Sequence, residues 1–91
     1  MSSGVAKFRN VVLVSFNKQG DIEQHRALSV NVSDEHNEVE RRSIERAVSA
    51  MLNDDRATIV MICIGRHHEA EFDSAESALK WASRELFGVA A

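Results

Sequence analysis

Two stretches of the chain distribute apolar residues in the way that β-hairpins do. Residues 7–16 are rich in Val, Leu and Phe, and the even positions from Ile22 onward are mainly apolar, as in a strand with one buried face. Further along, the nearly uninterrupted apolar run 57–64 precedes Gly65 and a shorter alternating segment, 68–72. The pattern predicts four strands arranged as two hairpins.

A helical pattern follows each hairpin. Apolar residues recur there at three- and four-residue spacing, first at Ile44, Ala47, Val48, Met51 and Leu52 and then at Ala75, Ala78, Leu79, Ala82 and Leu86. Each stripe is typical of an amphipathic helix with one buried side. Asn37 with Glu40, and Asp73 with Glu76, have the spacing of helix-start capping pairs.

The element order ββαββα defines the fold class that we expect. Two hairpins sharing one sheet, with both helices on the same side, bury every apolar stripe. We predict an α+β two-layer sandwich, in which a four-stranded, mostly antiparallel sheet has two helices packed on one face. A chain of 91 residues is too short for a second core, so we expect one domain, 1–91, with a flexible N-terminus at 1–6.

The predicted arrangement leaves one face of the sheet uncovered. Phe8 and Phe16 share a face with Val12 and Val14, and we assign that face to the core beneath the helices. Val11 and Leu13 then lie on the other face. Because a large exposed apolar patch usually marks an interface, we expect a second copy in a symmetric dimer, or a different protein, to cover it.

Composition and charge limit which cellular location and which class of binding partner we expect. A net charge of −3 gives no overall attraction for nucleic acid or anionic membranes. No apolar run approaches the roughly 18 residues that span a bilayer, and the N-terminus lacks a secretory signal pattern. The single cysteine, Cys63, lies in the most apolar stretch and cannot form an internal disulfide. We expect a cytoplasmic protein that binds no membrane.

The sequence contains no catalytic or cofactor motif. Cys63, His67 and His68 are residue types that bind zinc, but they lack the paired spacing of a metal site, so we assign neither metal nor cofactor. A charged edge strand explains His68 beside Glu69 and Glu71 more simply than acid–base catalysis does. No serine lies in a Gly-x-Ser-x-Gly turn, and the glycines are isolated. We expect no enzymatic activity.

These observations favour a small protein-binding module that occupies a partner surface and works as a homodimer. The candidate interface residues are Val11, Leu13, Trp81, Glu69 and Glu71. In kind, such a protein is similar to small phage and bacterial accessory proteins, including the anti-defence type, that inhibit a larger machine by binding it. Two alternatives stay open: a small-ligand or metal site near Gly65 to Glu71, and a nucleic-acid-binding sheet that uses strand one.

Overall fold

The computed structural model describes residues 8–33, 38–54 and 56–88, which form the predicted ββαββα chain. The elements are β1 (Phe8–Phe16), β2 (Ile22–Asn31), α1 (Glu38–Leu52), β3 (Ile59–Ile64), β4 (His67–Phe72) and α2 (Ala75–Glu85). The four strands form one antiparallel sheet in the order β2-β1-β3-β4. The predicted α+β fold class is confirmed.

The two hairpins meet at the centre of the sheet. There β1 pairs with β3 in antiparallel register, with Leu13 opposite Ile62 and Ser15 opposite Val60. β2 and β4 are the two edge strands. Because α1 and α2 also contact each other, each ββα half supplies one central strand, one edge strand and one helix to a shared structure.

The core lies between the sheet and the helices. On the strands it is formed by alternate residues, among which Val11, Leu13 and Ile62 are fully buried. The helices contribute the inner sides of their apolar stripes, namely Ile44, Ala47, Val48 and Met51 from α1 and Ala78 and Ala82 from α2. The buried sides of both predicted helices are therefore confirmed at these positions, while Ala75 and Leu79 of the second predicted stripe lie outside the core cluster.

Both hairpin turns contain a glycine with a left-handed backbone. Gly20 has φ of +86° and Gly65 has φ of +62°, a region that residues with a side chain rarely adopt. Gly65 and Arg66 form the two-residue connection between Ile64 and His67, and glycine in the first position is typical of a type II′ turn. Gly20 lies in the turn between β1 and β2, where the chain first reverses.

The start of α2 differs from the predicted capping pair. The N-cap is Ser74, whose Oγ accepts a hydrogen bond from the backbone N–H of Ser77 at 3.2 Å. The prediction of Asp73 with Glu76 is therefore wrong by one residue. A hydroxyl on an extended residue reaches the free N–H groups of the first helical turn as well as a carboxylate does.

Two predictions concern residues that lie outside the described ranges. These are the Asn37 cap of α1 and the flexible N-terminus at 1–6. Among the described residues, α1 begins with Glu38 and carries a second carboxylate, Glu40, in its first turn. Both carboxylates interact favourably with the positive end of the helix dipole at the start of α1.

Two shifts in strand pairing change which side chains face outward. The β1–β2 register shifts between Ser15 and Phe16, so that Phe16 pairs with Ile22. Ile22 therefore shares the face of Phe16, away from the core, and it is 63% exposed instead of buried as the alternation predicts. A second shift lies between Ile62 and Cys63, where β3 pairs with β4.

Candidate functional site

The two faces of the sheet have different surroundings. Val11, Leu13 and Ser15 of β1 point toward the helices and are fully buried. Because successive residues of a strand point to opposite faces, Val12 and Phe16 lie on the other side. Both helices of the described chain pack on the first face, which leaves the second without a covering layer among the described residues.

We call this uncovered side of the sheet the open face. Strand alternation and the pairing register assign the following residues to it: Phe8, Asn10, Val12, Val14 and Phe16 on β1; Ile22, His25, Ala27, Ser29 and Asn31 on β2; Ile59, Met61 and Cys63 on β3; and His68, Glu69 and Glu71 on β4. The two central strands supply mainly apolar side chains, and the two edge strands supply most of the polar ones.

Exposed apolar side chains are concentrated on the open face. Of the four large hydrophobic residues exposed in the described ranges, three belong to it: Phe8 (57% exposed), Ile22 (63%) and Ile59 (36%). The fourth is Val39 (67%) on α1. Val14, at the centre of the face, is only 9% exposed because neighbouring strands flank it on both sides. Clustered apolar surface of this kind is characteristic of a binding surface.

An ionisable pair lies on the β4 side of the open face. His68 Nε2 and Glu71 Oε2 are 3.4 Å apart, and both side chains are half exposed. Cys63 is the partner of His68 across the β3–β4 pair. No three His, Cys, Asp or Glu residues in the described chain lie close enough together to hold a metal ion. A pair in this open position also lacks the enclosing cleft in which catalytic groups usually work.

A shallow depression of about 350 Å³ lies at one end of the open face. Its lining consists of Phe16, Asn17, Lys18, Gly20, Thr58, Ile59 and Glu71. Phe16 and Ile59 form its apolar part, while Lys18 and Glu71 add charges of opposite sign. The volume is at the lower end of the range for ligand pockets, so we treat the depression as part of the open face. The depression gives little support to the alternative prediction of a ligand site near Gly65 to Glu71, because Glu71 is the only residue of that segment in its lining.

The predicted assignment of β1 side chains to the two faces is wrong. Val11 and Leu13, expected on the uncovered face, are fully buried beneath the helices. Phe8 and Phe16, expected in the core, belong to the open face. The physical reason is that residues 11–14 are all apolar, so the period-two pattern gives no sign of which side is buried.

A usable signal for the correct assignment is present in β2. Its apolar positions Leu28 and Val30 are separated by the polar Ser29, so they mark the core-facing side of that strand. In the observed register Leu28 pairs with Val11, which places Val11 on the same side. Counting back through the hairpin turn therefore identifies the buried face of β1, and with it the open face.

The other predicted interface residues lie on two different surfaces. Trp81 is on α2, partly buried against the core, and its ring centroid is 5.8 Å from that of Phe72. Glu69 and Glu71 are exposed on β4, and Glu71 belongs to the open face through its pairing with Met61. Glu69 is two residues from Glu71 and adjacent to Ala70, which packs against the core, so it leaves β4 on the same side as Glu71. The structure therefore brings Glu69 and Glu71 of the five predicted residues to the open face.

Strand one does not present the aromatic platform of a nucleic-acid-binding sheet. Phe8 and Phe16 lie at opposite ends of β1, about 27 Å apart at the usual rise of about 3.4 Å per residue. Arg9 pairs with Val30, a core residue, so its side chain leaves the strand on the helix side. Stacking of successive bases needs aromatic groups that are close together beside basic ones.

Several charged residues away from the open face are paired with one another. On α1, Arg42 is 3.0 Å from Glu38 and 3.1 Å from Glu45, and these hydrogen bonds raise the pKa of Arg42, with the Glu38 bond contributing most. Exposed pairs of this kind add little to stability. They do neutralise each other, so the helix presents no strong field to a charged partner.

Polar contacts also hold the loop after α1 against β2. Asp54 accepts hydrogen bonds from the backbone N–H of Arg56 at 3.0 Å and from Gln24 Nε2 at 3.2 Å. These bonds, chiefly the one from Arg56, hold the pKa of Asp54 below its ordinary value. Arg56 Nε in turn lies 3.3 Å from Glu23 Oε1. The charged residues of this region therefore hold the loop and β2 together.

Comparison with known proteins finds no family, no curated protein and no solved structure that matches this chain. Neither helix in the described ranges has the length and apolar character needed to cross a membrane. Hypotheses about function therefore depend on the chemistry of the open face.

Proposed function

We propose that this protein is a non-enzymatic protein-binding module that binds a protein partner through its open face. The observation that carries the proposal is that three of the four exposed large hydrophobic residues in the described ranges lie on one side of the sheet, with Ile22 and Ile59 beside Phe16 at one end and Phe8 at the other. Removing such side chains from water on association is favourable by about 25 cal/mol per Å² of apolar area.

The distribution of residue types on this surface supports a protein partner. Its centre contains Val12, Val14 and Met61, and its edges contain histidine, serine, asparagine and glutamate. An apolar centre with a polar rim is the usual anatomy of a protein–protein interface. The net charge of −3 and the distance between Phe8 and Phe16 favour a protein over a nucleic acid.

A binder of this type acts by occupying a surface. This is how small phage and bacterial accessory proteins of the inhibitory, anti-defence type block a larger machine, and we propose the same mode of action here. We further propose a cytoplasmic location, where the lone thiol of Cys63 stays reduced.

Capture from the native host tests the proposal. The tagged full chain is compared with a double variant, Ile22→Lys with Ile59→Lys, and with a control, Val39→Lys. Val39 is a β-branched apolar residue that is 67% exposed, close to the 63% of Ile22, but it lies on α1, outside the open face. Circular dichroism spectra must show that all three proteins are folded.

We expect the wild type and the Val39→Lys control to recover a protein in stoichiometric amount, and the double variant to recover about tenfold less or none. Recovery that is equal for all three chains contradicts the use of the open face. Recovery of nucleic acid or of a metal ion in place of protein supports the rival functions.

A further inference from the structure

We propose that the occupant of the open face is a second copy of this chain, packed face to face with a two-fold axis parallel to the strands. The inference depends on the proposed function, because it takes the open face as the binding surface. It adds what covers that surface while no other protein is bound to it, namely a second copy of the chain, and the register in which the two sheets meet.

The first support is one row of residues across the sheet that carries a histidine, a hydrogen-bond donor, at one end and a carboxylate, an acceptor, at the other. His25, Val14, Met61 and Glu71 occupy successive strands in the order β2, β1, β3 and β4, each opposite the next. A two-fold rotation about an axis that runs between β1 and β3 places β2 of one copy over β4 of the other. His25 then faces Glu71 of the second copy, and Val14 faces Met61. The same contacts occur twice, as an isologous interface requires.

In the neighbouring rows the match is between apolar side chains of the two central strands. On the open face, β1 and β3 pair Val12 with Cys63 and Phe16 with Ile59. The rotation exchanges the two strands, so each of these side chains meets the other member of its own pair on the second copy. Every contact along the centre of the interface is therefore apolar against apolar, which is what face-to-face sheets need to form a shared core.

The alternative in-plane axis, perpendicular to the strands, gives a worse match. A two-fold rotation about an axis along the row from His25 to Glu71 places β2 of one copy over β2 of the other, and β4 over β4. His25 then faces His25 of the second copy, and Glu71 faces Glu71, so like groups oppose each other on both rims. Juxtaposed like charges disfavour an association. The opposed Glu71 carboxylates thus favour the strand-parallel axis over this one.

The size of the open face agrees with a dimer of modest stability. Four strands at a spacing of about 4.8 Å span about 19 Å, and about eight residues at about 3.3 Å each span about 26 Å. The face therefore measures about 500 Å² per copy, or about 1,000 Å² for two. This is at the lower limit for a specific interface, so we expect a Kd of about 1–100 μM.

Sedimentation equilibrium of the full chain tests the inference. The wild type is compared with His25→Glu, with the double variant His25→Glu with Glu71→Lys, and with the control Val39→Lys. His25 is exposed in the single chain, so its substitution leaves the core unchanged. In the proposed register, the single variant opposes two carboxylates on each rim, and the double variant restores an opposite-charge pair.

We expect a monomer–dimer equilibrium for the wild type and for Val39→Lys. The His25→Glu variant is expected to raise Kd by about tenfold, and the double variant to return it to within about threefold of the wild-type value. A dimer that is unaffected by His25→Glu, or that is not restored in the double variant, overturns the proposed register.

Cys63 provides a second measurement that needs no substitution. Its thiol is half-buried on the open face of the single chain and faces Val12 of the second copy in the dimer. We expect the rate of maleimide labelling to fall as the protein concentration rises through Kd. A dimer that leaves this rate unchanged is formed by another surface and overturns the inference, even if the His25→Glu variant fails to fold.

The outcomes for the two proposals differ. A wild-type chain that remains monomeric up to about 1 mM overturns the homodimer. The same monomer can still capture a different protein through Ile22 and Ile59, which leaves the proposed function standing. Equal capture by the open-face variant removes the proposed function, whatever the oligomeric state.

Discussion

Val11 and Val12 are neighbours in the chain but lie on opposite faces of the sheet: Val11 is fully buried beneath the helices, and Val12 is partly exposed on the open face. Both residues are valines on β1, so substituting each with alanine compares the two environments directly. The difference in propensity between valine and alanine for β-strands is shared and cancels in this comparison.

We expect Val11→Ala to lower the free energy of unfolding by about 2 kcal/mol, because two buried methyl groups are lost and a cavity remains. Val12→Ala is expected to cost about 0.5 kcal/mol, since its environment is partly solvent. Urea unfolding of dilute protein measures both values. Equal losses for the two variants would mean that a layer covers the open face even at low concentration.

The N-cap of α2 gives a second matched pair. Ser74→Ala removes the hydroxyl that accepts the hydrogen bond from the backbone N–H of Ser77, and we expect a loss of about 1 kcal/mol in the free energy of unfolding. Ser77→Ala removes only the contact between the two hydroxyls, 2.9 Å apart, and keeps the backbone donor. Thermal unfolding should therefore rank the Ser77→Ala variant above Ser74→Ala, and the reverse order contradicts the assigned cap.

A pH-dependent contribution to stability is expected from Asp54. The pKa of its carboxyl is lowered in the folded state, chiefly by the backbone N–H of Arg56, relative to the ordinary value of 3.8. The carboxylate form is therefore favoured by folding, and its contribution is complete above 3.8 and is lost as the pH falls through the lower, folded value.

The substitution Asp54→Asn measures this contribution. At pH 7 the variant is expected to have the lower Tm, and the difference from the wild type should shrink as the pH falls below about 4. Asp21→Asn serves as the control, because the Asp21 carboxylate takes part in no hydrogen bond or ion pair within the described residues. A Tm difference that persists unchanged to pH 2 would assign the effect to the shape of the loop.

The sequence predicts the elements of this fold better than it predicts their faces. Helical spacing around Ile44 and Ala78 identifies both helices and their buried sides, because a period of three to four residues is unmistakable when the opposite side is charged. Along β1 the hydrophobic pattern does not indicate which side of the strand is buried. Ser15 is fully buried, while the far more apolar Phe8 is 57% exposed, an arrangement that hydrophobicity alone ranks in the wrong order.

The candidate site could be predicted only in outline. Two helices on one side of a four-stranded sheet leave its other side uncovered, so the element order alone predicts an uncovered face. It does not indicate which residues lie on that face. Its membership depends on strand register, which a single extra residue alters. The shift beside Phe16 exposes Ile22, and neither the turn residues nor the alternation of β2 indicates where that shift falls.

The antiparallel pairing of β1 with β3 has a consequence for how this chain reaches its native state. Each hairpin forms from residues close together in sequence, whereas contacts such as Leu13 with Ile62 close a loop that contains β2 and the whole of α1. The entropy of closing that loop is lost before the central pairing stabilises anything. Folding speed should therefore be governed by the encounter of two preformed hairpins, and a longer connection between α1 and β3 should slow it only slightly.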